Sequence, residues 1–89
     1  MNIQNFAQLK RALTVGTKIK LIDSSLKTHK HLGQVRAVIK QQTNAVKLEG
    51  GSWLDLGSMG VKAGNFSFQE NGFTMSWHEG KDYLRYEFV

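Results

Sequence analysis

Five basic residues sit at positions whose spacing allows them to share one face of a sheet: Lys18, Lys20, Arg36, Lys40 and Lys47. In TKIKLID the lysines alternate with Ile19 and Leu21. In QVRAVIK the apolar residues Val35, Ala37 and Ile39 alternate with Gln34, Arg36 and Lys40. A period of two places alternate residues on opposite faces of a strand. The expectation is that Val35, Ala37 and Ile39 point inward and the five cations point outward. A row of cations of this kind neutralises phosphates and displaces their counterions, which is the electrostatic basis of nucleic-acid binding. The competing explanation is a solvated sheet face whose lysines discourage edge-to-edge association.

The placement of the hairpin turn bears on that choice. A turn at Thr43-Asn44 sets Lys40 opposite Lys47, a like-charge pair that an anion would relieve. A turn one residue later sets Lys40 opposite Glu49, an ordinary ion pair. The apolar pattern is satisfied by either register, so both stay open.

Aromatic residues are the second requirement of a single-strand binder, because bases stack on exposed rings. Most of the aromatics here fall on the apolar side of predicted strands. Tyr83, with His78 opposite and Arg85 nearby, forms an outward polar-aromatic patch and is the preferred stacking candidate. Trp53 is the other: Leu54 and Leu56 compete for the inner side of its segment, which favours partial exposure, but tryptophan is buried on average, and burial against the helix is expected. The patch at Tyr83 lies on the less basic half of the chain, which counts against one continuous nucleic-acid surface.

No constellation for catalysis emerges. Cysteine is absent, which removes disulfides, thiolate metal sites and a cysteine nucleophile. His29 and His31 flank Lys30 without a third ligand at metal spacing, so no metal or cofactor is expected. His78 has no carboxylate or nucleophile arranged as a triad. Asp55, Glu70, Glu79, Asp82 and Glu87 fall at turns or strand ends rather than as a buried acid pair. The GxxG formed by Gly57 and Gly60 joins strands, not the two helices of a KH domain, and is set aside. A non-enzymatic protein is the expectation.

Charge is unevenly distributed. Residues 1–48 hold nine Lys/Arg against one acid, Asp23, for +8; residues 49–89 hold three against six, for −3, giving the net +5 of the 89 residues. Such asymmetry orients an anionic partner. The length allows one domain, 1–89, and one core. The N-terminus lacks a signal-peptide pattern and no apolar run reaches membrane-spanning length, so a cytoplasmic chain is expected.

The elements that must position these residues follow from periodicity. Ile3, Phe6, Leu9 and Leu13 form one helical stripe within residues 1–15, with Asn2 as N-cap and Gly16 as terminator. Residues 17–89 read as six to seven short antiparallel strands. Asn71-Gly72 is a strong hairpin signal. A two-residue turn there pairs Phe68 with Met75 and Phe66 with Trp77. A second turn at Gly80-Lys81 pairs Trp77 with Leu84, Met75 with Tyr86 and Phe73 with Phe88, which sets every large apolar residue of the meander on one face. The fold class is therefore α+β, mainly β: an N-terminal helix plugging a small SH3-like barrel, with a single curled sheet packed on the helix as the alternative.

The runs KQQTNAVKL, SWLDL and YLRYEFV resemble a pattern in short uncharacterised proteins of bacterial phages and mobile elements. In those proteins an N-terminal helix and a VGTKIKL-type strand lead into a basic polar hairpin, an SWL segment and an aromatic-rich hairpin. SSLKTHKHLG and GSMGVKAG depart from the pattern. The resemblance implies a small accessory protein and carries over no catalytic or binding residue. It adds a second functional expectation, docking onto a host or phage protein through a strand edge or an apolar patch containing Trp53 and Met59. DNA mimicry is disfavoured, since mimics are acidic and this chain is basic.

Overall fold

A computed structural model describes residues 3–43, 45–56, 65–77 and 80–89. Asn2, the Gly57–Gly64 stretch with Met59, and His78 with Glu79 lie outside the described residues.

The helix α1 spans Phe6–Ala12 and is shorter than its apolar stripe. Asn5, in extended conformation, is its N-cap: the Asn5 side-chain oxygen accepts from the Gln8 N–H at 2.9 Å. The Gln8 side chain reaches back to accept from the Gln4 N–H at 2.7 Å. These two bonds satisfy donors that would otherwise be orphaned, so the helix starts at Phe6. Ile3 is buried ahead of it, while Leu9 and Leu13 close over the core. The chain then turns at Gly16, whose φ of 98° is left-handed, and the Gly16 N–H donates to the Val38 carbonyl at 2.8 Å. That bond fixes the helix end against the sheet.

Seven strands follow: β1 Lys18–Ser24, β2 Val35–Gln42, β3 Ala45–Leu48, β4 Trp53–Asp55, β5 Asn65–Gln69, β6 Gly72–Trp77 and β7 Asp82–Phe88. They form one antiparallel sheet in the order β4-β3-β2-β1-β7-β6-β5. Two meanders, β1–β4 and β5–β7, are thus joined where β1 pairs with β7, with Leu21 opposite Tyr86.

The sheet is open. Strands β4 and β5 are its two edges, so the small SH3-like barrel preferred from the sequence is not formed, and the alternative of a single sheet packed on the helix is. Two features make closure unnecessary. The edge strand β4 has only three residues, short enough to blunt an edge. The inner face is covered by α1 instead. Phe6 meets Phe66 of β5 at 4.9 Å between ring centroids, and the far end of α1 lines a cleft with Val46 and Leu56 beside the opposite edge. A helix of seven residues is about 10 Å long, so the sheet wraps around it. The near-equal extents of 29 × 27 × 25 Å agree with a wrapped sheet rather than a flat two-layer slab.

The meander faces are as the alternation requires, but both registers move by two residues. Phe68 pairs with Phe73 and Phe66 with Met75, because the turn residues are Glu70 and Asn71. Asn71 takes the left-handed φ of 63°. Trp77 pairs with Asp82, Met75 with Leu84 and Phe73 with Tyr86, because four residues separate β6 from β7. A shift of two preserves which face each side chain occupies. Phe73, Met75, Tyr86 and Phe88 are buried, and Phe66, Phe68, Trp77 and Leu84 pack against them.

Strand β2 differs from expectation. Val38 is buried opposite Leu48, while Val35 and Ile39 are 45% and 49% exposed. Its apolar triplet therefore faces outward, and Arg36, 6% exposed, faces in. The cause is the β1–β2 register, which sets Arg36 opposite buried Ile19 and places Ala37 and Val35 opposite Lys18 and Lys20. A bulge between Val38 and Lys40 then leaves Ile39 and Lys40 both exposed.

Candidate nucleic-acid interface

The solvent face of the β1–β4 half-sheet carries four of the five basic residues. Lys18 and Lys20 are exposed on β1, across from Ala37 and Val35. Lys40 on β2 lies opposite Lys47 on β3, the register that needs no shift of the turn. Lys47 in turn lies opposite Trp53 on β4, and its Nζ stands 5.8 Å from the centre of the indole. The β3–β4 turn is short and tight: Gly50 and Gly51 both take left-handed φ, and the Leu48 N–H donates to the Ser52 carbonyl at 2.7 Å.

Trp53 does not pack against α1. It is 44% exposed, because Leu54 and Leu56 occupy the inner side of the same segment. A tryptophan left half-open beneath a lysine is a cation–π pair. Its face remains a surface on which a base could stack. Acids border the patch without filling it. Glu87 is opposite Lys20, Asp55 is opposite Ala45, and Glu49 accepts the Ala37 N–H at 2.7 Å.

Arg36 does not belong to this face. Its guanidinium donates to the Ser52 hydroxyl at 2.9 Å and to the Glu49 carbonyl at 3.4 Å, and its charge lies near the Tyr86 hydroxyl. The position is near the end of the sheet, where an arginine can bury its stem and satisfy its head on a turn. Burial pushes the Tyr86 hydroxyl above its ordinary value, and the nearby guanidinium opposes that shift.

The second aromatic candidate is already engaged. The Tyr83 hydroxyl donates to the Asp23 carboxylate at 3.1 Å, and Lys27 bonds both Asp23 at 2.5 Å and the Tyr83 hydroxyl at 3.1 Å. The Lys27 hydrogen bond holds the Asp23 carboxyl below its usual range, and Asp23 raises Lys27 in return. Tyr83 is opposite Ser76, and Arg85 is exposed opposite Thr74 on one side and Asp23 on the other. Trp53 on β4 and Tyr83 on β7 are four strands apart, roughly 19 Å along the sheet. These are two patches, and the basic one contains Trp53.

The histidines are arranged locally. The His29 Nδ1 accepts from the His31 N–H at 3.1 Å, and the His31 Nδ1 faces the Gln34 amide oxygen at 3.1 Å. Burial, followed by the positive neighbours His31, Arg36 and Lys30, holds His29 below its ordinary value. Among the described residues no group of three metal-ligating side chains occurs, and no helix is long and apolar enough to cross a membrane.

The Lys47–Trp53 pairing is the cross-strand relationship that residue spacing alone missed. Its signal was the Glu49-Gly50-Gly51 turn, which fixes Lys47 and Trp53 as cross-strand partners once a three-residue loop is assumed. In comparisons with protein-family models, curated proteins and solved structures, nothing matches this chain.

Proposed function

We propose that the chain is a cytoplasmic, non-catalytic binding domain that holds nucleic acid on the outer face of β1–β4. Lys18, Lys20, Lys40 and Lys47 engage phosphates, and Trp53 stacks a base. The observation that carries this reading is the arrangement of Lys40, Lys47 and Trp53 side by side across three adjacent strands. Two lysines set directly opposite one another cost stability unless an anion lies between them. An exposed indole next to them supplies the stacking surface that phosphate contacts alone lack. That combination favours single strands, whose bases are free to stack, over duplex.

The test is fluorescence anisotropy with labelled single-stranded RNA, single-stranded DNA and duplex DNA over a salt series. Four phosphate contacts give a slope of log affinity on log salt of about −2.8 on single strands and about −3.6 on duplex. Trp53→Ala weakens single-strand binding by about 1–3 kcal/mol. Absence of binding at low salt removes the proposal.

A second reading rests on Val35 and Ile39, which are exposed on the same face. Here the patch docks an accessory protein onto a protein partner, in the manner the phage and mobile-element resemblance implies. Under that reading Val35→Ser and Ile39→Ser abolish partner capture while Lys40→Ala leaves it intact.

A further inference from the structure

A cleft of about 760 Å³ lies between the C-terminal end of α1 and the tip of the β2–β3 hairpin. Lys10 and Arg11 line one wall, Gln41 and Gln42 line the other, and Val46 and Leu56 form an apolar floor. No acidic residue lines it among the described residues. Arg11 is exposed and has no hydrogen-bond or ion-pair partner among the described residues, while Lys10 lies over the Phe6 ring at 5.9 Å. Basic residues in a last helical turn complement the helix dipole, which accounts for their presence on α1. It does not account for Gln41 and Gln42 lining the far side of the same space, which is of ligand-pocket size.

The cleft and the outer basic patch meet at one peptide bond. Lys40 belongs to the outer face and Gln41, the next residue, belongs to the cleft wall. A chain lying on Lys47, Trp53 and Lys40 therefore needs only to round the hairpin tip to enter the cleft. Its two kinds of lining suit the two parts of a nucleotide. Cations meet phosphate, and side-chain amides above an apolar floor meet a base by its hydrogen-bonding edge and its face.

We infer that a single-stranded nucleic acid bound on the outer face continues around the β2–β3 hairpin into this cleft, with Lys10 and Arg11 on phosphates and Gln41 and Gln42 on a base. The inference rests on the nucleic-acid reading above and adds a second, physically separate segment to the binding path. A path bent around a hairpin selects flexible single strands and excludes duplex from the cleft.

The experiment is an NMR titration of the whole chain with single-stranded oligonucleotides of about 4 and about 16 nucleotides, the span of site sizes of small single-strand binders. It is paired with anisotropy salt series for Arg11→Gln. With the longer oligonucleotide, the side-chain amides of Gln41 and Gln42 and the backbone amides of Lys10 and Arg11 shift together with those of Lys47 and Trp53. Arg11→Gln makes the salt slope shallower by about 0.7, one phosphate contact on a single strand. If the Lys47 and Trp53 signals move while the Gln41, Gln42 and Arg11 signals do not, and Arg11→Gln leaves the slope unchanged, the cleft inference fails and the outer-face reading stands. If no signal moves with either oligonucleotide at low salt, both fail.

Discussion

Lys40 faces Lys47 directly across the β2–β3 pair, and the indole of Trp53 backs Lys47 from the next strand. A like-charge cross-strand pair opposes folding in the free protein and would be relieved by a bound anion. Stability and binding should therefore respond in opposite directions to one substitution. Lys40→Glu converts the pair to an attractive one and raises stability by about 0.5 kcal/mol. The same change removes a phosphate contact and flattens the salt slope on single strands by about 0.7. Urea denaturation and anisotropy on the same variant decide it. A variant that is less stable, or that binds as before, would show that the pair is not held for a ligand.

Arg36 separates fold from function. Its hydrogen bonds to Ser52 and the Glu49 carbonyl lie on the inner side of the sheet. Arg36→Ala leaves those groups short of a donor and opens space where the stem lay, at a cost of about 1–3 kcal/mol. The salt slope of any nucleic-acid binding should not change. A slope reduced by a full contact in a variant that remains folded would return Arg36 to the interface.

That residue also marks where sequence periodicity stops being informative. In QVRAVIK the set Val35, Ala37 and Ile39 and the alternate position Val38 are all apolar, so alternation alone favours the larger set. The chain instead follows backbone bonds at Gly16 and Thr17 that seat Val38 inward, and it places Arg36 on partners well beyond its own hairpin strand. The β5–β7 meander was legible because its parity survives a two-residue shift: Phe73 and Tyr86 stack at 5.4 Å although both predicted pairings were offset. Trp53 was misassigned for a different reason. Its burial was expected because tryptophan is usually buried, but Leu54 and Leu56 take the inner side of the same segment and leave it 44% exposed. The Lys40 register was undetermined because both turns satisfy the same apolar pattern.

Gly72 tests the register of the meander. It opens β6 beside β7, and a Cβ built on it would lie 2.3 Å from the Tyr86 carbonyl oxygen. Backbone cannot give way as a flexible side chain would, so Gly72→Ala should destabilise by about 3 kcal/mol, the upper part of the overpacking range. Asn71→Ala should also destabilise, by loss of the bond from the Asn71 amide to the Phe88 carbonyl at 2.9 Å and by the strain of a left-handed alanine. Thermal denaturation of the two variants measures this. A neutral Gly72→Ala would refute the close approach of β6 to the Tyr86 backbone.

The pH dependence of stability has two limbs that follow from different residues. His29 is held below its ordinary 6.5 by burial and then by its positive neighbours, so the unfolded chain takes up a proton before the folded one does. Its contribution is complete above pH 6.5 and is lost as the pH falls through that value towards the lower folded one. Protonation would also break the bond that the His29 Nδ1 accepts from the His31 N–H. His29→Asn keeps an acceptor near that position without a titrating ring, and should flatten the loss of stability as the pH falls below 6.5. Tyr86 gives the opposite limb. Burial raises its hydroxyl above 10.0, so its contribution is complete below pH 10.0 and is lost as the pH rises past it. Tyr86→Phe should flatten that alkaline loss, because it removes the titrating hydroxyl. Urea midpoints measured across the pH range for the three proteins test both limbs. Parallel curves for the parent and His29→Asn below pH 6.5 would mean that the acid limb belongs to another group, and Asp23, whose own loss begins only as the pH falls below 3.8, could not supply it.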